Sequence, residues 1–192
     1  MEENNLDIVE AKTLKAKKFI VYLFMVSSAI MFGGFTSYYI VFAASKGKGH
    51  GLILPEIFLY STIVLVASSL TLFMSSRAFK SGNISLQRTL LWVTMILGIA
   101  FGVMQFEGWK SLIMNGAVLI NNNASISMIY VVTAFHLLHI LAGLFFIIGV
   151  LLGSYQSISV DRQKFRMQSS SIFWHFIDIL WIYLYVFLLL NS

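Results

Sequence analysis

SIFWHFIDILWIYLY, residues 171–185, sets an imidazole, His175, and a carboxyl group, Asp178, three residues apart in a run of aromatic and branched apolar side chains. At helical spacing the two share one face. Ionisable groups in such surroundings are there for a reason: metal ligation, proton relay, or a polar clasp between helices. The rest of the chain narrows the choice.

Of 192 residues, 58% are hydrophobic, 15% aromatic and only 11% charged, with one proline and no cysteine. A soluble domain carries about a quarter charged residues, so the composition belongs to a chain dissolved in a bilayer. Without cysteine there are no disulfides, thiolate metal sites, CxxCH haem attachment or thiol catalysis. The net charge of +5 does not indicate nucleic-acid binding, because the basic residues form short clusters between apolar runs. Membrane topology accounts for them better.

A helix needs roughly 20 apolar residues to cross about 30 Å of hydrocarbon. Stretches of that kind cover approximately 19–44, 55–76, 88–109, 126–152 and 170–190, which predicts an all-α polytopic protein, a bundle of five transmembrane helices. Residues 1–18, MEENNLDIVEAKTLKAKK, read as a retained cytoplasmic leader, since no small-residue cleavage site follows a short apolar core. Pro55 and Glu56 suit the first turn of the second helix, where a missing N–H costs nothing and an anion meets the positive helix end. KGKGHG, RAFKSGNIS, NGAVLINNNAS and SISVDRQKFRMQ lie between the spans, and none is long enough to be a domain.

The basic residues set the orientation. Ten of the 13 lie in the odd-numbered polar segments: Lys12, Lys15, Lys17, Lys18; Arg77, Lys80, Arg88; Arg162, Lys164, Arg166. Lys46, Lys48 and Lys110 make up the even-numbered ones. That asymmetry predicts a cytoplasmic N-terminus and an external C-terminus. Small residues should supply helix contacts, because lipid gives helices no hydrophobic reason to associate. Gly98-x-x-x-Gly102, Gly149-x-x-x-Gly153, Gly33-Gly34, and the seven-residue pairs Ser61/Ser68 and Thr62/Ser69 are the candidate seams.

An ionisable group at mid-membrane depth costs roughly 2.5–3.5 kcal/mol on insertion scales, so each one needs an account. His136 and His139 share a face of helix four. At about 1.5 Å per residue, Asp178 lies roughly 12 Å and His139 roughly 20 Å from the cytoplasmic side, depths that allow a His–Asp contact between helices four and five. Three histidines and a carboxylate would also serve zinc, iron or haem. Yet His136 and His139 sit one turn apart on one helix, and a bis-His haem would need His175 as partner. A zinc site would need convergent ligands. Structural hydrogen bonding is the simplest reading. His50, in KGKGHG, reads as a solvated loop residue.

Four stretches in order now carry a resemblance: LPEIFLYSTIVLVASSLTL (54–72), GVMQFEGW (102–109), FHLLHILAGLFF (135–146) and WHFIDILWIYLY (174–185). The chain resembles subunit III of the haem-copper oxidases, the third core subunit of cytochrome c oxidase, in its shorter five-helix bacterial form. The resemblance implies a subunit with no catalytic centre and no haem, copper or other metal of its own. It implies packing beside the catalytic subunit I and other oxidase subunits, with haem and copper held by those partners. It further implies bound membrane phospholipids in a cleft between two helix groups, support of proton uptake during aerobic oxygen reduction, and a bacterial inner-membrane location. On this view His136, His139, His175 and Asp178 are buried polar clasps, and Trp174 and Trp181 are aromatic packing. The same view makes Gln105 and Glu107 buried anchors, where the residues alone also allow Glu107 as an interfacial carboxylate beside Lys110 and Trp109. One departure stands in LFMVSSAIMFGGF (23–35): Ser27 is followed by Ser28 where the family often has a buried glutamate, so no role of that carboxylate transfers. Two other readings stay open: a subunit III-like partner of a nitric oxide reductase, which would share these motifs, and a haem-b electron carrier using His136, His139 or His175. A transporter is disfavoured, since the sequence shows no inverted repeat.

Overall fold

The computed structural model describes residues 2–46, 54–120, 124–156 and 158–191, and His50 and Lys48 lie outside them. Five helices follow one another: α1 (Glu2–Lys46), α2 (Ile57–Lys80), α3 (Ile84–Met114), α4 (Ala124–Tyr155) and α5 (Val160–Leu190), with no strand among the described residues. All five are long and apolar enough to cross a membrane. The five-helix, all-α expectation therefore holds.

The helix ends differ from the apolar runs in a consistent way. α1 starts at Glu2 and α5 at Val160, about ten or more residues before the predicted spans. Apolar content marks where hydrocarbon begins, whereas backbone hydrogen bonding continues through the lysine- and arginine-rich flanks, whose residues are good helix formers. Asp161 in the first turn of α5 suits the positive helix end. Between α2 and α3 the chain reverses in three residues: Gly82 takes φ +76°, and the Asn83 side chain accepts a bond from Leu86 N at 3.1 Å. Glycine is the residue that adopts this left-handed conformation at no cost, and Asn is a good N-cap.

Contacts between α2 and α3, α3 and α4, α4 and α5, and α5 and α2 close a four-helix ring. α1 packs outside it against α4 and α5, and is the least buried helix, while α5 is the most buried. Ser61, Ser68 and Ser75 are all 0% exposed and lie seven residues apart on α2, a smooth stripe toward α3 and α5. Two of the four predicted glycines in the GxxxG matches make close approaches. A Cβ on Gly98 would lie 2.8 Å from Trp174 Cη2, and one on Gly153 would meet Gln163 Oε1 and Ile158. Gly102 has only ordinary contact, and Gly149, Gly33 and Gly34 have nothing within 4 Å of a Cβ. The Gly33-Gly34 seam is thus corrected: these glycines face outward from the peripheral helix.

Candidate functional site

The polar interior is organised by α2. Its hydroxyls fall on the inward face because serine and threonine recur at seven-residue spacing, two helical turns. Trp174 Nε1 donates to Ser68 Oγ at 3.0 Å and Trp181 Nε1 to Thr62 Oγ1 at 2.9 Å. His175 Nδ1 lies 2.6 Å from Ser69 Oγ, and Gln105 Nε2 donates to Ser61 Oγ at 3.1 Å. Thr71 and Thr94 hydroxyls are 2.8 Å apart, joining α2 to α3. Each bond satisfies a group that lipid would leave bare.

α1 is held by a smaller set. Ser28 Oγ lies 2.9 Å from His139 Nε2, and Thr36 Oγ1 lies 2.7 Å from Tyr183 OH. The His139 tautomer follows from its other nitrogen: Nδ1 is 2.7 Å from the Phe135 carbonyl, which can only accept, so Nδ1 carries the hydrogen and Nε2 is an acceptor; the one Ser28 hydroxyl hydrogen has two acceptors in reach, Nε2 and the Phe24 carbonyl at 2.8 Å. Phe24 and Phe32 flank the same imidazole at 5.6 and 5.3 Å between centroids. Ser28, at the position lacking the glutamate, is thus the α1 partner of His139. Ser28→Val, which removes that donor, is expected to destabilise the α1–α4 contact by about 0.6–1.7 kcal/mol, the range for interhelical polar contacts. Ser28→Thr should retain it, and thermal unfolding of the detergent-solubilised chain would separate the two.

Other expected clasps differ. His136 is 0% exposed, yet neither ring nitrogen has a hydrogen-bond partner. Its contacts are the rings of Trp181, Phe101 and Phe32, at 4.8, 5.7 and 6.5 Å. It packs as an aromatic ring, not as a hydrogen-bonded clasp. Asp178 is 4% exposed, and both its oxygens lack a hydrogen bond. The Ser69 hydroxyl is its polar neighbour but sits at hydrogen-bonding distance from His175. Among the described residues no His–Asp hydrogen bond joins α4 and α5. Glu107 is corrected from buried anchor to interfacial carboxylate: it is 56% exposed and pairs with Lys110 at 3.7 Å. It lies two positions beyond the buried Gln105, enough on a helix to turn it from core to surface.

Sequence reasoning missed a clamp on the C-terminal end of α4. Arg88 donates through Nε to Ser154 Oγ at 3.2 Å and through Nη2 to Ser154 O, with its guanidinium 4.2 Å from the Tyr155 ring centroid. Arg166 Nη1 donates to Gly149 O and Gln163 Nε2 to Val150 O, each at 3.0 Å. Ser154 O is one of the last four carbonyls of α4, which lack intrahelical donors and form its negative end, so a cation is its natural partner, while Gly149 O and Val150 O lie more than a turn before that end. In the sequence both arginines had counted only toward orientation. Beside this clamp a groove of about 670 Å³ opens between α4 and α5, walled by Phe145, Phe146, Leu152 and Phe165 and edged by Arg166 and Ser169. Among the described residues no group of three or more His, Cys, Asp or Glu converges to hold a metal ion.

Fold and site together define an all-helical, multi-pass membrane protein in which indoles, imidazoles and hydroxyls are largely spent on joining helices. Residues 8–192 match the model of the family described as Cytochrome c oxidase subunit III, and the chain belongs to that family. A cytochrome c oxidase subunit 3 from Synechocystis sp. is 33% identical over 181 residues, spanning 88% of this chain and 73% of that protein. One from Thermostichus vulcanus is 28% identical over 173 residues, spanning 86% and 83%. The cytochrome bo(3) ubiquinol oxidase subunit 3 of Buchnera aphidicola is 27% identical over 181 residues, spanning 92% and 94%.

Proposed function

We propose that this chain is the third core subunit of a respiratory haem-copper terminal oxidase. It has no catalytic centre of its own; haem and copper belong to the partner catalytic subunits, above all subunit I. Its work is to stabilise subunit I, to hold phospholipid and to support proton uptake while oxygen is reduced. The observation that carries the reading is the family match along 8–192. Relatives named for cytochrome c and for ubiquinol match over similar shares of the chain, so the proposed role is one common to both. The α4–α5 groove supports the lipid part: its walls are apolar, Arg166 lies at its polar edge, and the buried Ser169 hydroxyl has no partner within the described chain. The location is the bacterial inner membrane, with residues 1–18 cytoplasmic, from the ten-to-three distribution of basic residues.

Gentle solubilisation through a tag on this chain should bring down a haem-copper catalytic subunit with its haem spectrum. Nitric oxide reductase subunits in its place, or haem b held by the isolated chain, would overturn the proposal in favour of one of the other two readings. A reporter active only in the cytoplasm should stay silent when fused to the C-terminus and work at the N-terminus.

A further inference from the structure

The outward side of the α2–α5 seam has an imidazole at its centre. α2 and α5 run antiparallel in a register fixed by the Thr62–Trp181, Ser68–Trp174 and Ser69–His175 bonds. Helical period places Val66 between Thr62 and Ser69 on that seam, and Ile179 one turn beyond His175. They are 40% and 68% exposed, and His175 between them is only partly buried. His175 follows Arg166 of the basic belt by nine residues, roughly 13 Å along the helix, which is near the middle of a bilayer core of about 30 Å. Nδ1 is occupied by Ser69, whereas Nε2 has no hydrogen bond among the described residues. Asp178, three residues on, adds two carboxyl oxygens without hydrogen bonds beneath the same patch. The outward face of α3 at comparable depth is Ile96, Ile99 and Val103, all more than half exposed and suited to acyl chains.

We infer that the α2–α5 face docks onto a transmembrane helix of another oxidase subunit, which presents one hydrogen-bonding side chain to His175 Nε2 amid apolar contacts with Val66 and Ile179. Acyl chains would cover the apolar rim but offer nothing to the nitrogen, which in hydrocarbon has no water to turn to. A partner helix with one polar side chain meets both requirements, and interhelical bonding by polar side chains is an established source of helix association in membranes. The inference rests on the proposed place of this chain in an oxidase complex.

The test uses the intact complex, purified through a tag on this chain. A photoreactive phenylalanine analogue replaces Val66 or Ile179, with Ile96 or Val103 as controls. The seam positions should form adducts with another oxidase subunit, and the α3 positions should form them with lipid. In parallel, His175→Leu should lower the fraction of this chain retained on detergent challenge about fivefold, and His175→Gln, which keeps a hydrogen-bonding group, by no more than about twofold. Seam adducts only with lipid, or with a second copy of this chain, would overturn the docking face, as would equal retention of the Leu and Gln variants. The crosslinking arm keeps His175 in place and does not depend on the variants folding. If the oxidase co-purifies and the seam adducts fail, the docking face alone is wrong; if no oxidase co-purifies, the proposed function falls and the inference with it.

Discussion

Trp174→Ala is expected to be the most damaging single substitution in the bundle, with a loss of about 3–5 kcal/mol in line with large aromatic-to-alanine changes in packed cores. The indole is 0% exposed and reaches every other helix of the four-helix ring. Its Nε1 donates to Ser68 on α2 at 3.0 Å. Its ring edge is so close to α3 and α4 that a Cβ on Gly98 or Gly143 would lie 2.8 Å from it. Two glycines form a slot and the tryptophan fills it. The complementary substitution, Gly143→Ala, puts a carbon where the ring already is and also 3.1 Å from Ile177 Cδ1. The indole is pinned by its hydrogen bond, so the backbones must separate, and overpacking of this kind costs about 1–3 kcal/mol. Gly33→Ala is the control, with nothing within 4 Å of the added carbon. Thermal unfolding in detergent should rank Trp174→Ala as the most damaging, then Gly143→Ala, with Gly33→Ala close to wild type. If Gly143→Ala and Gly33→Ala melted together, the slot would not be tight.

The slot also shows what could and could not be read from the residues. The number of helices was legible because an apolar run of membrane length acts locally and needs no knowledge of its neighbours. The face of α2 was legible too: hydroxyls at 61, 62, 68 and 69 stay on one side of any helix, and the bonds to Gln105, Trp181, Trp174 and His175 fall there. Which group meets which hydroxyl was not legible, since it depends on the rotation and offset of two helices remote in sequence. His139 therefore finds Ser28, 111 residues away, rather than Asp178. GxxxG spacing found Gly98 but passed over Gly143, whose need for a small residue comes from a tryptophan on another helix. Glu107 was misread because one position on a helix turns a side chain by about 100°, and family likeness says little about where that turn ends at the membrane surface. The arginines at 88 and 166 carried a second meaning that a charge count hides: their side chains fold back onto the carbonyl end of α4.

Asp178→Leu in the full chain purified alone is expected to raise thermal stability, the reverse of what a hydrogen-bonded clasp would give. The carboxyl group is 4% exposed and neither oxygen has a hydrogen bond among the described residues, while the nearby Ser69 hydroxyl lies against His175. A buried polar group of this kind carries its desolvation cost without compensation, and an unsatisfied one costs about 1–3 kcal/mol, more when charged. Leucine, with the same branched four-atom skeleton and no polar atom, removes that cost. Asp178→Asn should fall closer to wild type than leucine does, because an amide remains polar. His175→Leu provides the contrast in the same assay: it deletes a bond that is made, to Ser69 at 2.6 Å, and should lower stability. The decisive comparison is the sign of the two leucine substitutions, three residues apart on one face of α5. Opposite signs would mean that Asp178 strains the isolated chain while His175 holds it. A loss of stability in both would mean that the carboxyl group does hold a donor inside the bundle, and Asp178 would return to the role of a clasp.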